Sequence, residues 1–376
     1  MFDLDAIRTE FPVTQNVTYL NHAAVGTIST RVRTAVEAYV KDFNEYAAAH
    51  YAQWDARQEE VRGLMARFIN ARPEEMAFVK NTTEGVSYAA NGLDWRDGDN
   101  VVINSLEFPS NALPWMNLKN RGVETRWVQD RDGRILIDDI RALIDHRTRV
   151  VAISHVAFGN GFRNDLGAIG SLCRERGVLF VVDAIQSLGQ MPVDVQETPV
   201  DILTADAHKW MLGPEGIGLF YCAPQVMDRL QLFEVGWKSV ANVGNYDVYD
   251  LTPHPTAARF EGGSANVLGI YALGAAIELF LEVGMKTVQE RIRLITDALV
   301  EGLARKGYHL LSHRGEGESS GIVTFRSDRY PNEDLHKLLR SQNIIGSRRG
   351  GGIRIAPHFY NTEEEVLRVV HALPGH

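Results

Sequence analysis

Through the middle of the chain, short apolar runs rich in β-branched residues alternate with amphipathic stretches. One such stretch, Leu166–Arg176, follows Asn164 and Asp165, either of which can cap a helix, and it precedes Gly177, which can end one. Alternation of strands and helices is typical of a mostly parallel, doubly wound sheet. The pattern therefore predicts an α/β domain with strands at residues 76–79, 101–103, 150–153, 179–182, 202–204 and 218–221.

The pattern changes after a loop at residues 251–258, which contains two prolines. A long helical stretch is predicted over residues 267–306, and shorter elements follow it: strands at residues 322–325 and 353–355 and helices at residues 332–340 and 363–373. A chain of 376 residues is long enough for about two domains. We predict a large domain at residues 16–265 and a smaller α/β domain formed by residues 1–15 and 266–376.

Composition narrows the range of functions. The chain has 39 basic and 48 acidic residues, and the net charge of -9 argues against nucleic acid or an anionic membrane as a partner.

The longest near-apolar stretch, residues 267–280, is shorter than the roughly 20 residues of a membrane span, so it predicts a buried helix. Residues 1–12 lack the apolar centre of a signal peptide. Cys173 and Cys222 show no metal-ligand or disulfide spacing, so we expect no metal and a reducing, cytoplasmic location.

Two consecutive predicted strands lead into ionisable groups. Asp183 follows the strand at residues 179–182, and His208 and Lys209 follow the strand at residues 202–204. Ligands of a parallel sheet bind beyond the carboxyl ends of its strands, so these groups should converge. A lysine can form an imine with the aldehyde of pyridoxal phosphate (PLP), and a carboxylate can hold the pyridine nitrogen protonated. Either segment alone is more typical of a strand end and a solvated loop, but together they indicate a PLP site.

A candidate phosphate site lies after the first predicted strand. Thr82 and Thr83 stand at an apparent helix start, where free backbone N–H groups and the helix dipole attract an anion. His208 is a second candidate contact for the phosphate. The alternative is an ordinary helix cap formed by Asn81 with Glu84.

Two further residues are candidates for holding the cofactor ring and the substrate. Phe108 follows a predicted strand and can stack on a planar cofactor, although a lone aromatic residue there is more often part of the core. Arg354 lies within a strand-like run and can bind a carboxylate bidentately. Arg348 and Arg349, beside a glycine-rich turn, are expected to be solvated or mobile, and the alternative use of this segment is to bind a polyanion.

In this order, these segments resemble the PLP-dependent aminotransferase class V family, which belongs to the fold-type I PLP enzymes. The family includes cysteine desulfurases, C–S lyases, isopenicillin-N-epimerase-like proteins and aminotransferases. The resemblance runs from YLNHAA at residues 19–24 to RIAPHFYNT at residues 354–362. It implies a large domain with a mostly parallel doubly wound sheet, a smaller α/β C-terminal domain and PLP as cofactor.

The resemblance also implies roles for individual residues. Lys209 resembles the lysine that attaches the cofactor and moves protons at the substrate Cα, and Asp183 resembles the partner of the pyridine nitrogen. Arg354 resembles the arginine that binds the substrate carboxylate. The remaining implied contacts are Gln186 with the phenolic oxygen, Thr82, Thr83 and His208 with the phosphate, Phe108 with the ring, and Asn21 on the substrate side.

The segment RFEGGS at residues 259–264 resembles a loop that reaches the cofactor of the neighbouring subunit, where Ser264 would contact the phosphate. This implies a homodimer with shared active sites.

The chain departs from the family pattern at two positions. Asp206 stands where many members have a serine that contacts the phosphate, so we expect its carboxylate to point elsewhere. Phe158 stands where desulfurases have a substrate-binding asparagine, which leaves Asn160 as a candidate replacement. His155 is either a group beside the cofactor ring or a core histidine with its hydrogen bonds satisfied.

The type of reaction stays open between several branches. Desulfurases that form a persulfide need a cysteine on a mobile loop before the carboxylate-binding arginine, and residues 341–352 contain none. We therefore favour β-elimination on a cysteine derivative, as in a C–S lyase, with a small amino acid as substrate. Transamination and epimerisation are the enzymatic alternatives, and a PLP-binding regulatory module is the non-enzymatic one.

Overall fold

The computed structural model describes residues 2–375. Its strands are β1 Thr18–Tyr19, β2 Met76–Val79, β3 Asn100–Asn104, β4 Glu124–Val128, β5 Thr148–Ser154, β6 Leu179–Asp183, β7 Ile202–Asp206, β8 Gly218–Cys222, β9 His309–Leu310, β10 Val323–Arg326, β11 Ile344–Ile345, β12 Ser347–Arg349 and β13 Gly352–Ile355. Its α-helices are α1 Leu4–Thr9, α2 Thr30–Tyr46, α3 Tyr51–Phe68, α4 Thr82–Gly92, α5 Leu113–Met116, α6 Ile137–Leu143, α7 Leu166–Arg176, α8 Pro224–Met227, α9 Val267–Val283, α10 Met285–Arg305, α11 Asn332–Ser341 and α12 Glu363–Ala372.

The large sheet has seven strands within the described residues, in the order β2-β8-β7-β6-β5-β3-β4. The five strands from β7 to β4 run parallel, whereas β8 runs antiparallel to both of its neighbours. Every residue of β3, β6, β7 and β8 is buried, as expected for strands covered by helices on both faces. The predicted α/β class and mostly parallel sheet are therefore confirmed.

Local sequence signals position the helices around this sheet. Asp165 accepts a hydrogen bond from the backbone N–H of Ala168 at the start of α7, and Gly177 ends that helix with φ +66. Asn81 caps α4 by accepting from the N–H of Glu84. A Cβ atom at Gly85 would lie 2.1 Å from Thr204 Oγ1, so the glycine lets α4 pack directly against β7.

A second, antiparallel sheet of four strands has the order β12-β13-β10-β9. Its apolar face joins a separate hydrophobic cluster with α10, α11 and α12, which contains Leu299, Phe325, Leu339 and Val369. The short strand β1 pairs in parallel with β11 and so attaches the N-terminal segment to this part of the chain. The proposed division at residues 15 and 265 stays a prediction.

The predicted helical stretch over residues 267–306 is confirmed, but it consists of two helices separated at Gly284. Gly284 adopts φ +82 between α9 and α10, a backbone conformation that a right-handed helix cannot contain, and the two helices meet at 81°. Within residues 2–375, no single helix is long and apolar enough to cross a membrane; only this bent pair, taken together, passes that test by length and composition.

Candidate active site

Asp183 and Lys209 lie at the carboxyl ends of the neighbouring strands β6 and β7. Both are buried, with 2% and 7% of their surface exposed. Burial raises the pKa of Asp183 to about 6, although the charge of Lys209 opposes this rise. Burial likewise lowers the pKa of Lys209 to about 8, against the opposing charge of Asp183. The two groups are therefore close enough to influence each other, and about a tenth of the amine is neutral and nucleophilic at pH 7, far more than for an ordinary lysine.

The backbone after Lys209 is held between two glycines. A Cβ atom at Gly26 would lie 2.1 Å from the carbonyl oxygen of Lys209, and one at Gly189 would lie 2.1 Å from that of Trp210. The N–H of Gly26 also donates to the carbonyl of His208 at 2.6 Å. These contacts fix the lysine backbone, so the amine moves through its side-chain torsions alone.

Phe108 faces the lysine from the loop after β3. The Nζ atom of Lys209 lies 5.3 Å from the centroid of the Phe108 ring. That ring makes an edge contact with Phe158, with centroids 5.2 Å apart and planes at 78°. Phe108 is 39% exposed, so a planar group can reach its surface. This placement agrees with the predicted stacking role, which stays a prediction.

Glu107 is a half-buried residue whose carboxyl group is surrounded by hydrogen-bond donors, and no sequence motif marked it as a site residue. It accepts hydrogen bonds from the backbone N–H of Ser154 at 2.8 Å, from the hydroxyl of Ser154, and from the side-chain amide of Asn111 at 2.9 Å. Burial raises its pKa to about 7, and the charge of Asp183 contributes to the rise. Glu107 thus ties the loop that carries Phe108 to the end of β5. Its position directly before Phe108 was the only signal available in the sequence.

The predicted phosphate contacts gather at the start of α4. The Thr83 hydroxyl donates to Ser110 Oγ at 2.9 Å, whereas Thr82 Oγ1 accepts from the backbone N–H of Asp206 at 3.0 Å. The Asp206 carboxylate turns toward His208 and lies 3.0 Å from its Nδ1 atom. The two atoms do not meet with hydrogen-bond geometry, so His208 Nδ1 is buried without a hydrogen-bond partner among the described residues. The Thr82 hydroxyl accepts here and so keeps its own proton free to donate, and the phosphate-binding roles of Thr82, Thr83 and His208 stay predictions.

Three other predicted residues lie around the same strand ends. Gln186 donates to the Ala23 carbonyl at 2.9 Å and accepts from Trp210 Nε1 at 2.8 Å, which fixes its amide. His155 donates its backbone N–H to the Asp183 carbonyl, and burial lowers the pKa of its ring to about 3, so the imidazole is neutral. Asn21 follows β1 and bridges to Ala356.

Arg354 lies in β13 and enters the site from the second sheet. It is 2% exposed, and its Nη1 atom donates to the Phe158 carbonyl at 2.6 Å. Burial and the charge of Arg349 lower its pKa to about 10. Asn160 lies on the same loop as Phe158, but both ends of its amide serve the scaffold: it donates to the Gly133 carbonyl and accepts from the Phe162 N–H. Its substrate-binding role stays a prediction that this geometry does not favour.

Ser264 lies apart from this group. Its side chain is exposed, and it lines a surface hollow with Lys80, Glu234 and Gly263 rather than with Lys209. Within one chain, therefore, the structure does not bring Ser264 to the other predicted cofactor contacts.

The residues around Lys209 fit PLP. Among the described residues, nine buried side-chain polar atoms have no hydrogen-bond partner, and four of them belong to predicted site residues, although buried polar groups are normally paired. A phosphorylated pyridine with an amino-acid substrate would supply acceptors, donors and negative charge to such atoms, while Asp183 supplies an anion for the pyridine nitrogen. The unpaired atoms contributed by these four residues are Asn21 Oδ1, His155 Nδ1, His208 Nδ1 and Arg354 Nε.

Comparisons with known proteins agree with this geometry. The sequence profile of the family described as aminotransferase class-V matches residues 18–369. A cysteine desulfurase of Cronobacter sakazakii is 32% identical, covering 99% of this chain and 98% of the relative. A probable cysteine desulfurase of Methanothermobacter thermautotrophicus is 31% identical, covering 96% of this chain and 94% of the relative.

Among solved structures, an apo cysteine desulfurase from Thermococcus onnurineus NA1 superimposes with a TM-score of 0.90 at 26% identity, covering 99% of this chain and 97% of that one. This likeness confirms the fold-type I architecture. The full-length matches also confirm an enzyme rather than a regulatory binding module, with PLP as its cofactor. The chain belongs to the aminotransferase class V family of PLP-dependent enzymes.

Proposed function

We propose that this enzyme is a C–S lyase that catalyses β-elimination on a cysteine derivative without forming a persulfide on one of its own cysteines. The observation that carries the proposal is the segment before Arg354. Residues 347–355 form the hairpin of β12 and β13, which contains no cysteine. Cys173 and Cys222 are both buried, and burial raises the pKa of Cys173 to about 12 and raises that of Cys222 as well, which suits inert thiols.

PLP, when bound, supplies an aldehyde that captures the substrate amine and a ring that accepts electron density from Cα. The chain's own residues do the rest. Arg354 binds the substrate carboxylate and so orients the amino acid. Asp183, ionised above its pKa of about 6, keeps the pyridine nitrogen protonated. Lys209 would remove the proton from Cα, and the electron pair of that bond would form a double bond between Cα and Cβ as the bond from Cβ to sulfur breaks with its electron pair on the sulfur. The thiolate would then take up a proton, and water would hydrolyse the released enamine to pyruvate and ammonia.

A homodimer with shared active sites is part of the proposal. Ser264 lies away from Lys209 within one chain, and a contact across a subunit interface would bring it to a partner's phosphate. Exposed aromatic side chains support an interface, because Phe43 and Tyr46 at the end of α2 and Tyr246 and Tyr249 after β8 are between 53% and 100% exposed. The two unpaired cysteines agree with a reducing, cytoplasmic location.

The test is a panel of L-amino acids and cysteine S-conjugates assayed on the holoenzyme in three ways. Pyruvate with released thiol or sulfide reports elimination, amine transfer to a keto acid reports transamination, and deuterium uptake at Cα with inversion reports epimerisation. We expect pyruvate and thiol in equal amounts, abolished in Lys209→Ala and unchanged in a Cys173→Ser/Cys222→Ser double variant. Transfer or inversion without pyruvate would replace the lyase with one of the other two activities, and loss of activity in a folded cysteine double variant would restore a persulfide route.

A further inference from the structure

The hairpin of β12 and β13 presents several polar groups on the face that meets the active site. Ser347 pairs with Arg354 across the hairpin, and Arg349 pairs with Gly352. Because side chains two residues apart on a strand share a face, Ser347 and Arg349 lie on the same face as Arg354. Arg354 contacts the carbonyl of Phe158, so this is the face turned toward the ring of Phe108.

The tip of the hairpin is held in place by backbone contacts. Gly350 and Gly351 both adopt positive φ, 58 and 80, as in the tight two-residue turn that joins antiparallel strands. A Cβ atom at Gly350 would lie 2.4 Å from the carbonyl oxygen of Gly159, so the tip packs against the loop that also carries Phe158. The side chain of Arg349 therefore extends from a packed backbone position, and it is exposed, in agreement with the expectation that it is solvated or mobile.

Two buried polar atoms on this face lack hydrogen-bond partners, and the side chain of Arg349 on the same face is exposed. Ser347 Oγ and Arg354 Nε are buried without hydrogen-bond partners, and no carboxylate among residues 2–375 forms an ion pair with Arg354 or Arg349. The field of Arg349 is strong enough at Arg354 to lower its pKa. One substrate carboxylate balances Arg354, which leaves Arg349 as an exposed guanidinium group beside it that is free to bind a second anion.

Two acidic residues stand near the hairpin tip, and among the described residues neither forms an ion pair with Arg349. Asp130 and Asp132 line a neighbouring cleft of about 550 Å³ together with Phe158 and Gly350. Asp130 accepts from the N–H of Gly133 at 2.9 Å and from the hydroxyl of Ser105 at 3.0 Å. Asp132 lies 3.9 Å from Arg134. Within residues 2–375, the guanidinium group of Arg349 therefore has no carboxylate partner, although Asp130 and Asp132 are nearby.

We infer that Arg349, assisted by Ser347, binds a second anionic group on the substrate, so that the preferred substrate is a cysteine derivative whose sulfur substituent ends in a carboxylate or a similar oxyanion. The α-carboxylate binds Arg354, and the distal anion binds the neighbouring guanidinium and hydroxyl groups. The inference rests on the proposed function for the identity of the amino acid, but it concerns binding and not the fate of the substrate.

The test compares nearly isosteric ligands on the holoenzyme: S-carboxymethyl-L-cysteine, the neutral S-carbamoylmethyl-L-cysteine and the cationic S-aminoethyl-L-cysteine. The dissociation constant is measured by stopped flow, from the change in cofactor absorbance before turnover. We expect the carboxymethyl compound to bind about tenfold more tightly than the carbamoylmethyl compound, the size expected for a hydrogen bond to a charged group. Arg349→Gln should abolish this preference.

The matched control is Arg348→Gln. Arg348 lies on the opposite face of β12, 3.5 Å from Glu333, so its loss should leave the preference intact. Equal binding of the carboxymethyl and carbamoylmethyl compounds, an equal effect of the two arginine variants, or tightest binding of the aminoethyl compound would each overturn the inference. If the enzyme instead transaminates these ligands while keeping the preference, the proposed reaction fails and the second anion site stands.

Discussion

Replacing Lys209 with methionine should make the apoprotein more stable. In the absence of cofactor, Lys209 is a buried amine whose pKa falls from its ordinary value of 10.5 to about 8. Methionine has a similar length and no charge, so it fills the same volume without the cost of burying an ammonium group. The reactive lysine is thus expected to reduce the free energy of unfolding.

The size and pH dependence of this effect follow from the pKa of Lys209. A tenfold change in proton affinity corresponds to about 1.4 kcal/mol, so the lowering to about 8 corresponds to about 3 kcal/mol. This cost is fully present below pH 8, where the amine is charged in both the folded and the unfolded states. Between pH 8 and pH 10.5 only the unfolded chain keeps the proton, so the cost shrinks as the pH rises. Above pH 10.5 the amine is neutral in both states, and the cost vanishes.

Calorimetric melting of the two apoproteins measures the effect. With about 2.1 cal/mol/K of unfolding entropy per residue and 376 residues, a gain of about 3 kcal/mol raises Tm by about 4 °C. The difference should be about 4 °C at pH 7 and about 1 °C at pH 10. Lys119→Met, at an exposed lysine, is the control and should change little. A Lys209→Met protein that melts no higher than wild type at pH 7, or whose gain is the same at both pH values, would refute the argument.

Two further changes probe the groups around the lysine. Asp183→Asn removes the charge that raises the pKa of Lys209, so PLP should attach to the apoprotein with a pH midpoint below about 8, measured by trapping the attached cofactor with borohydride, and turnover should fall by several orders of magnitude. An unchanged or higher midpoint would contradict the electrostatic pairing of Asp183 with Lys209. Glu107→Gln places an amide among donors from Ser154 and Asn111, so Tm should fall by the equivalent of about 1–3 kcal/mol and the absorption band of bound PLP should shift. Glu124→Gln, at an exposed edge, is the control and should change neither quantity. A wild-type Tm and an unshifted band in Glu107→Gln would show that Glu107 does not position Phe108.

The sequence predicted the buried strands well, because their apolar runs are continuous and end at clear polar positions. It did not predict β4, because this strand lies at the edge of the sheet, is only partly buried and contains polar residues such as Glu124 and Arg126 that interrupt the apolar pattern. The break at Gly284 was also missed, since the apolar pattern continues across it and only the backbone angle marks the bend.

The candidate site was predicted where residue type and strand position together carry the chemistry, as at Asp183, Lys209 and Arg354. The role of Asn160 was less well predicted, because an asparagine in a loop looks the same whether its amide faces a ligand or a backbone carbonyl such as that of Gly133. Glu107 was overlooked for the opposite reason. A glutamate is usually solvated, and its burial results from contacts with Ser154, which lies 47 positions away along the chain.

The two glycines that flank the lysine backbone limit how this enzyme can diversify. Any side chain at Gly26 or Gly189 would displace the segment that carries the reactive amine, so neither position offers a gradual route to new chemistry. The exposed tip of the β12–β13 hairpin has no such restriction at Arg348 and Arg349. A combinatorial library that seeks altered substrate selectivity should therefore randomise the hairpin and leave the glycines unchanged. Substitutions in the hairpin can change which substrate binds without displacing the reactive lysine.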